Sequence, residues 1–204
     1  WRRKDDALLK AVYEYLDSPD AYTVTTVAKL LPKLRISYVD QVVPLLEDER
    51  SAVRKTALEV LEDKRNDSKV AKAVTAMLKA EKNDKLAADA ADFLIAASSK
   101  DVSIEGHLHY LRKGDEKKAV DAAGKLASYK QDAAAEALYE ELTDKRKPVT
   151  RAAVDSLEKL GAASQQKKAL ENSKVDASLR LEIAEDLTDD RDASNKLTGH
   201  AYIA

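Results

Sequence analysis

The stretch KPVTRAAVDSLEKLGA, residues Lys147 to Ala162, contains the start, the buried face and the end of a single helix. Pro148 suits a first helical turn, because the amide that proline lacks would have no partner there. Ala153 and Leu157 lie four residues apart, so both fall on one face of the helix. Gly161 then provides the left-handed conformation that commonly ends a helix. The stretch therefore predicts one helix that packs through a small and a large residue.

The same pairing of a small or branched residue with a leucine four positions later recurs through the chain. Successive leucines are separated by 30, 33, 32, 31 and 30 residues. Repetition at this period is typical of solenoids, in which pairs of helices stack on one another. The six pairs of residues are Val27 with Leu31, Ala57 with Leu61, Ala90 with Leu94, Ala122 with Leu126, Ala153 with Leu157, and Ile183 with Leu187.

Short oxygen-bearing side chains stand just before the helical blocks, where they can accept hydrogen bonds from the free amides of a first turn. They divide the chain into six helix pairs within a single domain, residues 1–204. These predicted N-caps are Ser37, Ser51, Ser68, Asp84, Asp101, Asp115, Asp132 and Asp176. The predicted pairs span about 6–34, 37–63, 68–98, 101–129, 132–160 and 163–188, and residues 191–204 form a capping helix or a tail.

SAVRKTALEVL, residues Ser51 to Leu61, and the stretch quoted above resemble the second helix of HEAT repeats, particularly the short bacterial type found in phycobilisome lyases. The resemblance extends over nearly the whole chain and implies an all-α fold, a right-handed α-α superhelix. In that family an aspartate in the turn within a repeat often pairs with an arginine in the next helix. Asp48 and Arg54 match this pattern, whereas Arg151 lies one position late relative to Asp144.

Composition and charge narrow the classes of partner. Charged residues make up 35% of the 204 residues, against about 25% in a typical domain, which suits the large surface of an elongated solenoid. The net charge of −2 lacks the positive field that draws proteins to nucleic acid or anionic membranes. No apolar run approaches the length of a membrane-spanning helix. We therefore expect a protein or peptide partner, with neither nucleic acid nor membrane.

Other features of the sequence leave the cellular context open. The chain has no cysteine, so disulfides and thiolate metal sites are excluded, while both cytoplasm and periplasm remain possible. Because the chain begins at Trp1, we expect a fragment of a longer protein that is monomeric by itself.

The side chains that most often carry catalysis or metal binding show no such pattern here. His107 and His109 would lie about 200° apart around a helix, so they cannot bind one metal ion together. Short signatures of zinc peptidases, dinucleotide sites, phosphate-binding loops and esterases do not occur. Paired carboxylates such as Asp189 and Asp190 stand at predicted helix ends, where they stabilise the helix dipole. We therefore predict no catalytic residue, no metal and no cofactor, and hence no enzyme.

One register of the second helices forms a candidate binding groove. The position two residues before each leucine points away from the core, and four of the six residues there are acidic: Lys29, Glu59, Asp92, Gly124, Asp155 and Glu185. Lys55, Lys117 and Arg151 add positive charge near the same surface. A functional stripe of this kind would bind a basic peptide with an affinity that falls as salt rises. The alternative is that these positions are charged only because they face solvent.

These features predict that the protein is a non-catalytic scaffold that binds a partner segment along a concave groove. Preorganised side chains on stacked helices would reduce the entropic cost of binding. A second hypothesis is that the chain is an accessory domain of a larger enzyme, such as a metallopeptidase, whose catalytic part lies outside residues 1–204. A third is a subunit of a chromophore lyase, which would need a hydrophobic groove that the dispersed tyrosines do not suggest.

Overall fold

The computed structural model describes residues 9–34, 36–190 and 192–203, and within these ranges every regular element is helical. The helices are numbered in chain order. They are α1 (9–14), α2 (Ala21–Leu30), α3 (Val39–Val42), α4 (Ser51–Val60), α5 (Ser68–Ala80), α6 (Asp84–Ile95), α7 (Lys100–Lys113), α8 (Glu116–Leu126), α9 (Asp132–Glu140), α10 (Lys147–Leu160), α11 (Ala163–Glu171), α12 (Ala177–Asp189) and α13 (Ala193–Ile203).

Turns of 3₁₀ helix extend several of these elements, most clearly after α3. The sequence predicts one helix over 37–47, but the α-helical part is a single turn. Pro44 has no amide to donate to the carbonyl four residues earlier, so the chain continues as a 3₁₀ helix over Val43–Glu47. The segment still buries Leu45 and Leu46, so it contributes to the core like a regular first helix.

The chain divides into two compact units, Trp1–Gly106 and His107–Ala204. In the first unit α4 packs against both α2 and α6, and in the second unit α10 packs against both α8 and α12. Each unit is therefore a stack of successive helix pairs. The predicted all-α solenoid is confirmed, whereas a single domain over residues 1–204 stays a prediction.

The recurring leucines form the centre of each pair. Leu31, Leu61, Leu94, Leu126 and Leu157 are fully inaccessible to solvent, and Leu187 is nearly so. Burying one such side chain contributes about 1.5–3 kcal/mol. The small partner residues are also buried, except in the first repeat, where Ala28 is inaccessible and the predicted Val27 is only half-buried.

The second helix of every pair starts at the same distance from its leucine. The N-cap stands eleven residues earlier, as Asp20 does before Leu31. The six N-caps are Asp20, Arg50, Asn83, Asp115, Arg146 and Asp176. Of the predicted caps, Asp115 and Asp176 are confirmed by hydrogen bonds to amides of the first turn.

The other predicted caps are wrong by one or two residues. Ser51, Ser68, Asp84 and Asp132 are the first residues of their helices, Asp101 is the second residue of α7, and Ser37 precedes the N-cap Tyr38. Gly161 does end α10 as predicted, with a φ of 66°.

The last described helix, α13, packs against the second helix of the sixth pair. α13 packs against α12 so closely that a Cβ on Gly199 would lie 2.5 Å from the carbonyl oxygen of Ala184. Gly106 of α7 stands in the same relation to Ala91 of α6, also at 2.5 Å. α13 therefore packs on its neighbour as the first helix of a further repeat would.

Candidate functional site

The predicted groove residues of the first unit come together on α2, α4 and α6. We call Lys29, Lys55, Glu59 and Asp92 the first-unit face. The Glu59 carboxylate lies 3.5 Å from Lys29 Nζ and 3.9 Å from Lys55 Nζ. Asp92 lines a cleft of about 400 Å³ together with Lys55 and Glu59. Two lysines thus share one carboxylate on this face, so its charge is largely balanced.

The corresponding surface of the second unit is crowded with carboxylates. We call the following residues of α10 and α12 the second-unit face: Arg151, Asp155, Glu158, Glu182, Glu185 and Asp186. Burial, and then the negative charges of Glu158, Glu182, Asp155 and Glu185, raise the pKa of Asp186 to about 6. Arg151 pairs with Glu182, at 3.1 Å. Five carboxylates and one arginine leave this face with surplus negative charge.

The predicted residues of α8 do not complete either face. Lys117 is exposed in the first turn of α8. It lies three residues closer to the start of its helix than the position that Lys55 and Arg151 occupy in theirs. Val120 occupies that register and is half-buried. Gly124 is exposed, and a Cβ built there would meet no atom within 4 Å. The acidic register is therefore interrupted at α8.

The structure places the aspartate–arginine pairs differently from the prediction. The Asp48 carboxylate binds Arg50, with Nε–Oδ1 at 2.8 Å and Nη2–Oδ2 at 2.7 Å. Arg54 instead donates to the backbone oxygen of Asp48, at 2.8 Å, and its side chain pairs with Glu81. The predicted Asp48–Arg54 ion pair is wrong, because Arg50 stands at the N-cap and reaches the carboxylate from two residues away.

An Asp-x-Arg turn of the same geometry occurs in the second unit. Asp144 binds Arg146, with Nε–Oδ1 at 3.0 Å and Nη2–Oδ2 at 2.6 Å. Each arginine also reaches back 32 residues, Arg146 Nη1 to the oxygen of Gly114 at 2.8 Å and Arg50 Nη1 to that of Ser18 at 3.0 Å. These bonds tie one repeat to the preceding one.

The Asp-x-Arg turns were detectable in the sequence but were missed. The motif recurs as DER at 48–50 and DKR at 144–146, which is three repeat lengths apart. The arginine's hydrogen bonds lower the pKa of both aspartates. Charged pairs held in this way are among the stronger hydrogen bonds of proteins.

Glu141 adds a second perturbed carboxyl beside the later turn. Burial, together with the hydrogen bond and the charge of Asp144, raises the pKa of Glu141 to about 7. The nearest cation, Arg146 Nη2, lies 3.9 Å from Oε2. Its first-unit counterpart in the repeat is Leu45, so this group is specific to the second unit.

The histidines and carboxylates do not assemble into a metal centre within the described residues. His107 is buried against Tyr129, with ring centroids 5.7 Å apart, and burial lowers its pKa. His109 stacks edge-on against Tyr110. Within the same ranges, none of the helices combines the length and the apolar character needed to span a membrane.

Comparison with known proteins yields similarity of structure only. No protein-family model and no curated protein matches this chain. The crystal structure of an engineered protein from the Northeast Structural Genomics Consortium is similar, with a TM-score of 0.48 and 18% identity over 95% of this chain and 94% of that one. A designed armadillo repeat protein is similar with a TM-score of 0.46 and 17% identity, covering 95% and 97% of the two chains. The stacked helix pairs described above make this chain a helical-repeat protein.

Proposed function

We propose that this protein is a non-catalytic scaffold of the HEAT-like type that binds a basic segment of a partner protein on the second-unit face. The observation that supports it is the crowding of carboxylates around Asp186, whose pKa is raised to about 6 by burial first and then by the neighbouring negative charges. A positively charged side chain placed among them would relieve the mutual repulsion. Complementary charge of this kind increases both the rate and the specificity of association.

The helices hold this charge in a fixed arrangement. Leu157 and Leu187 are buried beneath the face and pack α10 against α12. Little of the protein would therefore need to become ordered on binding, which lowers the entropic cost. Glu182 and Asp186 are half-buried rather than fully solvated, so their charges are screened less than those of isolated surface residues.

The first-unit face gives a contrast within the same chain. Its Glu59 already has two lysine partners, at 3.5 and 3.9 Å. A basic peptide would have to displace them to gain the carboxylate. We therefore assign the binding of a basic segment to the second-unit face and expect a smaller contribution from the first.

Fluorescence anisotropy with a labelled dodecapeptide of alternating lysine and serine tests this assignment. The double variant Asp155→Lys with Glu185→Lys is expected to weaken binding by about tenfold or more at low salt, because it reverses two of the charges. The matched control is Glu47→Lys with Glu49→Lys, which changes net charge equally on exposed residues of the first unit.

The control should retain most of the affinity, and raising the salt should weaken the wild-type complex. Equal loss in the two double variants would show that only net charge matters and would overturn the assignment. Circular dichroism melting curves verify that both variants are folded.

A further inference from the structure

Each unit contains a cleft beside its Asp-x-Arg turn, and the two clefts share part of their lining. The first cleft has a volume of about 460 Å³ and the second about 640 Å³. In the turn and the start of the following helix, five positions of the lining recur 96 residues apart, two with the same side chain and three with different ones. They are Leu46 and Leu142, Glu47 and Thr143, Asp48 and Asp144, Glu49 and Lys145, and Arg54 and Thr150.

The first cleft contains its own ion pair. Arg54 Nε and Nη2 lie 2.7 and 2.8 Å from the oxygens of Glu81, whose side chain is only 1% exposed. The backbone amides of Lys82 and Asn83 donate to the same carboxylate, each at 3.0 Å. A carboxylate is thus the group that the chain itself places against this cleft's arginine.

The second cleft lacks both members of that pair. Thr150 replaces Arg54, and Lys174 stands two residues before the N-cap Asp176, as Glu81 stands two residues before Asn83. Thr150 donates to the oxygen of Lys147, at 2.9 Å, and does not extend across the cleft as an arginine would. The second cleft therefore lacks this ion pair and is the larger of the two, about 640 against 460 Å³.

The open cleft is lined by cations from three segments. Lys145 comes from the Asp-x-Arg turn, Lys147 from the start of α10 and Lys174 from the loop before α12. Within the described ranges, no carboxylate lies within ion-pairing distance of these three ammonium groups. Arg151 also lines the cleft, but it pairs with Glu182.

The two acidic residues in the lining are already engaged. The Asp144 carboxylate is held by Arg146. Asp176 caps α12 through the amide of Ser178, at 2.8 Å, and accepts from its hydroxyl at 2.6 Å. One of the three lysines, Lys147, also acts on the charge of Asp176. The other two leave the lining with a net positive potential in a concave space whose volume is typical of ligand sites.

We propose that the second cleft binds an acidic peptide segment, with a glutamate or aspartate side chain entering among Lys145, Lys147 and Lys174. The carboxylate would have the role toward these cations that Glu81 has toward Arg54 in the first unit. This site lies on the turns of the repeats, adjoins the second-unit face at Arg151, and takes a ligand of the opposite charge.

A labelled octapeptide of alternating glutamate and glycine is the probe for this site. Fluorescence anisotropy is expected to show binding that is lost with the matched glutamine–glycine peptide. The variant Lys145→Glu with Lys174→Glu should weaken binding by about tenfold or more. Amide shifts of Thr150 and Lys174 should move on titration in NMR spectra, which locates the peptide independently of any variant.

The control variant is Lys33→Glu with Lys72→Glu, which makes the same change in net charge on exposed lysines of the first unit. It should keep the affinity within about twofold, as expected when exposed charges are far apart and screened. Equal loss in both double variants, or unmoved Thr150 and Lys174 amides, would overturn the proposal. Tighter binding of an oligothymidylate of equal charge would also overturn it, in favour of a phosphate ligand.

The proposed binding of a basic segment on the second-unit face and of an acidic segment in the second cleft can be disproved independently of each other. The Lys145→Glu, Lys174→Glu variant should bind the lysine–serine peptide at least as well as the wild type, because the carboxylates of the second-unit face are untouched. Loss of that binding as well would mean that the two probes share one site and would overturn the assignment of the acidic segment to this cleft.

Discussion

The two clefts beside the Asp-x-Arg turns share a backbone motif but differ in what occupies them. In the first unit, Arg54 and Glu81 form an ion pair in the lining of the cleft. In the second unit, Thr150 and Lys174 stand at the corresponding positions, and the larger cleft lacks that pair. The turn occurs in both units, and in each its arginine hydrogen-bonds to the preceding repeat. The difference shows that a repeat which omits a contact made elsewhere in the chain leaves its charged side chains without that internal partner.

The first-unit face and the second-unit face also differ in how far their charges are paired within the chain. On the first-unit face, Lys29 and Lys55 satisfy Glu59. On the second-unit face, four other carboxylates contribute to the raised pKa of Asp186. In both comparisons the first unit balances its own charges, and the second unit leaves surplus charge.

The largest expected effect on stability comes from breaking the ion pair of the first cleft. Arg54→Ala would leave the Glu81 carboxylate, 1% exposed, without its cation. We expect a loss of about 2–4 kcal/mol in the free energy of unfolding at pH 7, since unpaired buried charges are costly. Urea denaturation measures it.

The control for this variant is Arg151→Ala, which removes an arginine from an exposed pair and should cost less than about 0.5 kcal/mol. The pair with Arg54 lowers the pKa of Glu81, so its stabilisation is present above pH 4.5 and declines as the pH falls. An Arg54→Ala effect that stays constant down to pH 3 would contradict this account.

The Asp-x-Arg turns give the next effect. Arg50→Ala should reduce the free energy of unfolding by less than Arg54→Ala does, through loss of charge-assisted hydrogen bonds. Arg146→Ala should cost about 1 kcal/mol more, because it deprives both Asp144 and the half-buried Glu141 of their nearest cation. Parallel urea titrations of the two variants measure the difference, and equal losses would show that Glu141 does not distinguish the turns.

The raised pKa of Glu141 predicts a pH dependence of the free energy of unfolding that arises in the second unit. Its pKa is about 7 in the folded protein, against an ordinary 4.5, so the folded chain retains a proton that the unfolded chain has lost in this window. The free energy of unfolding should therefore fall as pH rises from 4.5 to 7. Glu141→Gln should remove the share of this decline that comes from Glu141 and stabilise the protein by about 1 kcal/mol at pH 8, a value reduced for partial solvation.

Urea titrations at pH 5 and pH 8 check this prediction. Part of the decline should persist in Glu141→Gln, because Asp186, with a pKa of about 6, titrates in the same window. The equivalent position of the first unit holds the buried Leu45, which cannot be changed to glutamine without loss of packing. The control is therefore Glu140→Gln, which changes an exposed neighbour of Glu141. If Glu140→Gln flattens the curve equally, Glu141 is not the responsible group.

The smallest effect is expected on the first-unit face. Lys29 and Glu59 are about half exposed and lie 3.5 Å apart, so Lys29→Ala should change the free energy of unfolding by less than about 0.5 kcal/mol. The same variant should, however, increase the affinity of this face for the lysine–serine peptide, since it frees part of Glu59. Unchanged affinity would mean that charge balance does not explain the difference between the faces.

Local patterns determined much of the fold. The period of the leucines located six helix pairs, because burial at one helical face requires apolar residues at fixed spacing. Pro148 and Gly161 marked the ends of α10 correctly. The predicted caps Ser51 and Ser68 were displaced by one residue, since serine is as acceptable in a first turn as at the cap, and Arg50 was not recognisable as a cap at all.

The partners of charged side chains depended on tertiary structure. The sequence by itself determined an all-α repeat protein and the outward register that holds Glu59, Asp155 and Glu185, because helical periodicity depends on local geometry alone. Only the folded structure decided that Glu59 is neutralised while Asp155 is not, and that Arg54 pairs with Glu81 from the next repeat. Ion pairing depends on distances between residues about thirty positions apart, and those distances are set by how the helices stack.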